Sequence, residues 1–518
     1  MATVKSPNRV LQVALGLGWC VDLLFYGKRI GISVPLFVLL VLGSLFVLGR
    51  LERANPALPN LWLLLPVAFF ATMVFVRANA WLTFLNLTAL FVLLALMALF
   101  AMAGRVDRLA LMGYPVGVLL VIGHMVGRAG PDVATVVRST SHHRAQARRA
   151  APLVRGVMLA LPVLALFTAL LASADTIFAG YMSKFSRFDY LSGTPEMLWR
   201  ATLILTAAWL IAGGFLFALG QRGTIVGPVP GLPASGFTLS RFSIGFAEAA
   251  TVLALVDGLF AIFSWIQIAN VFLGRPASMH YEAYREYVRR GFGELLVVAV
   301  LTMLLILGLR WAAWKETPRE MRVLDVLSTL MVVLALVILV SAFQRLLTWE
   351  SIQFYISTPL RLYIRAFMVW LGLLFVWLLF TMWFKPERFA IGAFVAAICF
   401  MVTINLMNPD ADVATYNLRR QDELSTRYLE LLSDDAVPAL VAGLESSSGD
   451  VLVALREQLS YRLYVLETDP NRQYWQSFHL AGSQAYDMLT ALSNQGKIDK
   501  PFGDLQVEVT GVVRGAGF

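Results

Sequence analysis

Residues 246–272 read "FAEAATVLALVDGLFAIFSWIQIANVF", and this stretch decides the fold. It carries two acidic residues, no Lys or Arg and no Pro, and it exceeds the roughly 20 mainly apolar residues that a membrane-spanning helix needs. Comparable stretches recur from residue 10 to residue 406. Over all 518 residues, 58% are hydrophobic, 14% are charged and the mean hydropathy is +0.70, whereas about a quarter of a soluble domain is charged. Lipid offers no partner to a free backbone N–H or C=O, so spanning segments are helices or closed β-barrels. The short alternating segments of a barrel are missing. The expected fold class is an all-α, polytopic transmembrane helical bundle.

Working outward from 246–272, the spans read as 10–26, 32–49, 58–76, 80–103, 109–127, 153–174, 198–219, 243–272, 291–310, 321–346, 361–384 and 388–407, twelve in all. The Pro- and Gly-rich segment "TIVGPVPGLPASGF" (224–237) cannot continue a helix and divides the body near its middle. Residues 1–408 hold 33 Lys and Arg against 17 Asp and Glu, whereas residues 409–518 hold 9 against 16. Two regions follow: a basic transmembrane body and a small acidic, mainly helical extramembrane domain. The basic residues sit in short loops between apolar spans, where anchoring accounts for them, so nucleic acid is excluded as a partner and the lipid bilayer is the expected one. Cys20 and Cys399 both fall in spans, which leaves neither a disulfide framework nor a Cys-rich zinc site. No cofactor or metal is expected.

In the tail, "DELSTRYLELLS" (422–433), "DAVPALVAGL" (435–444), "DVLVALREQLSYRLYVLE" (450–467) and "SFHLAGSQAYDMLTAL" (477–492) repeat apolar residues at three and four and read as amphipathic helices. Ser433, followed by Asp434 and Asp435 with Pro438 in the first turn, is an expected helix start. The Arg-rich link 128–152 points to the cytoplasm. Counting onward places the tail on the outer side, while counting backward also places Lys5 and Arg9 outside, which the same rule disfavours.

Charges inside spans are costly and mark the first candidates. Asp257 shares a stripe with Ala261, Ser264 and Ile268 and is expected to face a neighbouring helix, as an interhelical hydrogen-bonding group or a transport residue. Glu248 lies on the opposite face near the start of the span, where a solvated position competes with a functional one. Asp22 interrupts the first apolar run. Gly113, Gly117, His124 and Gly127 fall on one face of the fifth span, which favours a packing seam with a hydrogen-bonded histidine over a metal or proton-relay site. His142 and His143, in a basic loop, read as solvated. Two clusters at span boundaries mix aromatic and charged residues as an interfacial helix does: Tyr281, Tyr284, Arg285 and Arg289 with Glu294, and Glu350, Tyr355, Arg361 and Tyr363. No phosphate loop, nucleophile elbow or zinc-protease motif is present, so no catalytic residues are assigned.

The wording "ASADTIFA" (172–179), "GFAEAATVLALVDGLFAIFSWIQ" (245–267), "HYEAYREYVRRGFGELL" (280–296), "YISTPLRLY" (355–363), "NPDADVATYNL" (408–418), "YLELLSDDAVPAL" (428–440) and "YWQSFHLAGSQA" (474–485) resembles a family of bacterial polytopic membrane proteins known as domain of unknown function 4173, 4153-like. The resemblance implies a bacterial inner-membrane location and a soluble tail that is part of the family's architecture. It brings no activity, substrate or catalytic residue. Three functions stand open: a non-enzymatic protein of transport, sensing or envelope-support type whose tail meets a protein partner, a membrane-embedded enzyme acting on lipid-linked or headgroup substrates, and a purely structural membrane scaffold.

Overall fold

In the computed structural model, the described residues are 6–52, 58–102, 104–127, 194–220, 245–268, 281–312, 317–352, 358–419 and 431–499, together with Leu429. They form fifteen α-helices and no strand. In chain order these are α1 (Pro7–Phe25), α2 (Ser33–Leu51), α3 (Leu64–Val76), α4 (Ala80–Leu99), α5 (Gly113–Gly127), α6 (Thr194–Gly220), α7 (Phe246–Gln267), α8 (Tyr281–Ala312), α9 (Pro318–Ile352), α10 (Pro359–Phe384), α11 (Phe389–Met407), α12 (Pro409–Leu418), α13 (Val437–Ser446), α14 (Gly449–Thr468) and α15 (Leu480–Asn494). Ten helical segments, from Pro7–Phe25 to Pro386–Met407, are long and apolar enough to cross a membrane. The protein is a polytopic all-α membrane protein. Of the twelve spans read from sequence, ten correspond to these segments, the fifth is the shorter helix α5, and the sixth (153–174) lies outside the described residues.

The transmembrane helices pack around two large cores that part where the sequence carries its Pro/Gly segment, and a smaller cluster joins α1, α2 and α6. Leu63, Phe70, Leu96 and Val121 belong to the first, together with Phe217 of α6. Leu253, Ile306, Met331, Ile338 and Phe375 build the second, from α7 to α10. Helix α11 serves both, with Ala390 in the first core and Phe389 in the second. A close helix approach is made at Gly18 of α1, where an added Cβ would lie 2.5 Å from the Ile204 carbonyl of α6. Glycine lets the two backbones meet there, as small residues do between membrane helices that lack a hydrophobic driving force.

Two sequence expectations are corrected. The link 273–290 does not end in a separate interfacial helix: residues 281–290 continue into α8, which runs for 32 residues. At 1.5 Å per residue α8 is about 48 Å long, so its charged first turns extend past a hydrocarbon layer of about 30 Å. The second concerns the stripe of Asp257. Asp257, Ser264 and Gln267 are buried, but Ala261 and Ile268 face outward. The buried face is centred on Leu253, roughly 40° from the axis that the spacing favoured.

Helix α11 ends at Asn408, whose φ of 48° is left-handed, and Pro409 opens α12 directly. Asn tolerates that conformation better than most residues, and Pro at a first helical position loses no hydrogen bond. From here the chain packs around a core of its own, built on Val413, Leu418, Val437, Leu440, Leu459 and Leu489. Helices α13, α14 and α15 cover most of the last three amphipathic stretches read from sequence, while most of 422–433 lies outside the described residues.

Candidate functional site at the junction of tail and bundle

The tail sits on the end of the bundle formed by the α1–α2 and α3–α4 turns and the end of α11. Arg77, Ala78 and Asn79 make the second of these turns, and they hold Asp435 from the tail. Asp435 is 5% exposed. Its Oδ2 accepts from the Ala78 N–H at 2.7 Å and the Asn79 N–H at 3.0 Å, and Oδ1 lies 3.7 Å from the Arg77 guanidinium. Burial pushes the Asp435 carboxyl above the usual carboxylate range, while Arg77 and the two N–H donors pull it back. The same arginine donates to the Asn405 carbonyl at the end of α11, 2.9 Å away. Asn79 caps α4 through Leu82 N–H and donates through Nδ2 to Asp410 at 2.9 Å.

Asp410 in turn gathers the tail. It accepts from the backbone N–H of Ser433 at 3.0 Å and from the Ser433 hydroxyl. Ser433 therefore spends its side chain on Asp410 and makes no cap of the helix that it precedes, contrary to the sequence expectation. His479 closes the network from α15's side: Nε2 lies 2.8 Å from the Arg77 carbonyl and so carries the proton, while Nδ1 is buried without a partner among the described residues. Burial holds the His479 imidazole below its ordinary range, against the pull of Asp435 and Asp434. Beneath the network, Asn86 of α4 and Asn405 of α11 exchange side-chain hydrogen bonds at 2.8 Å each way, fully buried. Tyr363 packs beside them against Leu82, Ala366 and Ile404.

A second clamp lies at the α1–α2 turn. Ile32 N–H donates to the Phe478 carbonyl at 3.0 Å, Arg29 N–H to Ser477 Oγ at 3.1 Å, and the Arg29 guanidinium to Asp469 at 2.7 Å. Gly31 is needed for this approach, since an added Cβ would lie 2.5 Å from the Phe478 oxygen. Between the clamps is a cleft of about 350 Å³, lined in part by Arg29, Thr83, Asp434, Arg472, Trp475 and His479.

The residues singled out by sequence do not converge here, Tyr363 excepted. Asp22, 5% exposed, is held by Arg200 of α6 through Nε at 3.1 Å and Nη2 at 2.7 Å. Glu248 is exposed and accepts from Gly245 N–H at 3.0 Å, capping its own helix. His124 bonds the Leu120 carbonyl of its own helix at 3.0 Å and its ring lies 4.7 Å from that of Phe217. Asp257, 3% exposed, has no hydrogen-bond partner for either oxygen among the described residues. On the same helix Gln267 accepts from Ser341 at 2.9 Å and Arg345 at 2.8 Å of α9. Arg361 is half-buried and Glu294 exposed. The side chains of Tyr281, Tyr284, Arg285, Arg289 and Glu350, and all of Tyr355, lie outside the described residues, as do His142 and His143.

What sequence reasoning did not see is that three of its motifs meet at the α3–α4 turn. "NPDAD" (408–412), "SDDA" (433–436) and "SFHLAG" (477–482) supply Asp410, Ser433, Asp435 and His479 to one network with Arg77 and Asn79 of that turn. The signal was available as polar residues at helix ends in otherwise apolar sequence, but no spacing links positions some 350 residues apart. No curated protein and no solved structure matches the chain. A family model does match, that of the domain of unknown function DUF4153, over residues 64–443, which take in the α3–α4 turn, α11, Asp410 and Asp435. That match covers well over half of the chain, which therefore belongs to the DUF4153 family.

Proposed function

We propose that this is a non-enzymatic membrane protein of sensing or envelope-support type, in which the bundle holds a helical domain, residues 409–518, against one membrane face. The observation that carries the reading is the seating of Asp435 on the α3–α4 turn, a buried carboxylate with two backbone N–H donors and an arginine. Such a joint transmits a displacement of the bundle to the tail, because a buried charge separated from its donors is costly. The domain's free side offers Val453, Tyr461, Tyr464 and Val465 on α14, between 43% and 63% exposed, as a surface for a protein partner. Scattered apolar residues are ordinary on a surface, but an aromatic stripe on one helix is what protein interfaces favour.

The bilayer is an inner bacterial membrane in this reading, with the tail on its outer side. Ser6, at the start of α1, pairs with Glu52 at the end of α2, so Arg9 lies at the end of the bundle away from the tail. Arg50, Arg105, Arg108, Arg319, Arg322, Lys385 and Arg388 share that end. A cytoplasmic position for them satisfies the positive-inside rule and removes the conflict over Arg9.

The test is a chromosomal Asp435→Ala variant, compared with a deletion strain for growth and dye uptake after osmotic downshift. The variant at normal protein level is expected to show the deletion defect, and Asp257→Asn to grow as wild type. A wild-type phenotype for Asp435→Ala with a detached tail would sink the reading.

A further inference from the structure

The cleft between the two clamps has a charge pattern that the docking of the tail does not use. Four charged side chains line it, Arg29 and Arg472 against Asp434 and Asp469, so it is neutral as a whole. Asp469 is spent: Oδ1 accepts from Asn471 N–H at 3.0 Å and Oδ2 from Arg29 at 2.7 Å. Arg472 is not. Its guanidinium stacks over the Tyr486 ring and has no carboxylate partner among the described residues. Stacking uses the face of a guanidinium and leaves its edge N–H donors for a bidentate oxyanion. Asp434 contributes the opposite sign. One of its oxygens lies 3.5 Å from Arg462, and Oδ2, over the first turn of α15, has no hydrogen-bond partner among the described residues. The cleft thus presents one uncommitted cation and one uncommitted carboxylate oxygen.

Its position limits the occupant further. Ile30 and Thr83 place the cleft where α2 and α4 leave the apolar layer, and Trp475 and Phe478, 58% and 41% exposed, stand at its rim as aromatic residues do at a membrane interface. Its volume of about 350 Å³ is at the small end of ligand sites, for which about 300–1,000 Å³ is usual. We infer that the cleft binds a phosphoethanolamine zwitterion, with the phosphate on Arg472 and the ammonium on Asp434 beside the Trp475 ring. The chemistry is that of a phosphatidylethanolamine headgroup or of the free phosphoester. The inference rests on the docked tail of the proposed function, because the α1–α2 turn and α15 form opposite walls.

The experiment uses the full chain purified in mild detergent and exchanged into phosphatidylcholine vesicles containing either phosphatidylethanolamine or phosphatidylglycerol, with co-purified lipid counted by mass spectrometry. Protease resistance of the tail is measured in parallel. Wild type is expected to retain phosphatidylethanolamine about tenfold over phosphatidylglycerol, and Arg472→Gln to lose that retention by a similar factor, with the tail still resistant. Asp434→Asn is expected to erase the preference between the two lipids. Added phosphoethanolamine that binds without lipid would assign the site to the soluble ester; displacement only at large excess would assign it to the headgroup, and both outcomes support the zwitterion site. Equal retention of the two lipids by wild type, or unchanged retention in Arg472→Gln, overturns it. A protease-sensitive tail in the wild type would instead overturn the docking on which it rests.

Discussion

Asp435 and Asp257 are the same residue at nearly the same burial, 5% and 3% exposed, in two regions built on opposite terms. Asp435 stands at the rim of the bundle where backbone N–H groups are left over at a helix–helix turn, and it collects two of them together with Arg77. Asp257 stands mid-span, where the backbone is satisfied within the helix, and neither of its oxygens has a hydrogen-bond partner among the described residues. The contrast teaches that burial alone does not decide whether an acid in a membrane protein is held by partners. What distinguishes the two is the supply of donors, and helix ends supply them.

The largest effect is expected from Asp435→Ala, which leaves two backbone N–H groups without their acceptor and Arg77 without its carboxylate. Breaking a buried charged pair costs about 3–5 kcal/mol, enough to release the tail, and trypsin resistance of the tail in native membranes would report it. Gly31→Ala attacks the other clamp by steric means. Its Cβ would lie 2.5 Å from the Phe478 oxygen, so a backbone shift of about 1–3 kcal/mol is expected, read as a lower melting temperature for the tail. If Gly31→Ala behaved as wild type, the two clamps would not be acting together.

A smaller effect follows from His479. Its folded-state pKa lies below the ordinary 6.5 because of burial, so the stability that it contributes is present above pH 6.5 and is lost as the pH falls below that value. Protonation would also place a proton on Nδ1, which faces no acceptor among the described residues. Asp435 runs the other way: its raised pKa gives a contribution that is largest in acid and fades as the pH rises above the ordinary carboxylate range, near 3.8. Between pH 7 and 6 the histidine governs, so tail docking should weaken as the pH falls across that range, with His479→Gln flat over it. The smallest effect belongs to Asp257→Asn, which preserves shape at a carboxyl that has no hydrogen-bond partner among the described residues. Its melting temperature should match wild type, and a loss of several degrees would show that Asp257 has a charged partner after all.

The fold was legible because lipid simplifies the code. Apolar runs such as 246–267 and 359–384 leave no alternative to helix, and the Pro/Gly segment at 224–237 falls where one core gives way to the other. Helix ends were harder to place: α8 runs through Gly291 and Gly293, since the turns before them belong to the same helix and not to a separate element. The junction was hidden for a different reason. Arg77, Asp410, Asp435 and His479 each look like loop or helix-start residues, and only the packing of the tail onto the α3–α4 turn makes them one site. Attention to charges inside spans led to Asp257, Asp22 and His124: the first has no hydrogen-bond partner among the described residues, the second an ion pair with Arg200 and the third an aromatic contact with Phe217.

The central claim is that Asp435 seats the tail on the bundle. Disulfide trapping in native membranes tests it most directly, with Arg29→Cys and Ser477→Cys in a background where Cys20 and Cys399 are serine; Ser477 Oγ lies 3.1 Å from the Arg29 backbone nitrogen. The account predicts rapid cross-linking that disappears when Asp435→Ala is added. Cross-linking at the same rate with and without Asp435 would contradict it.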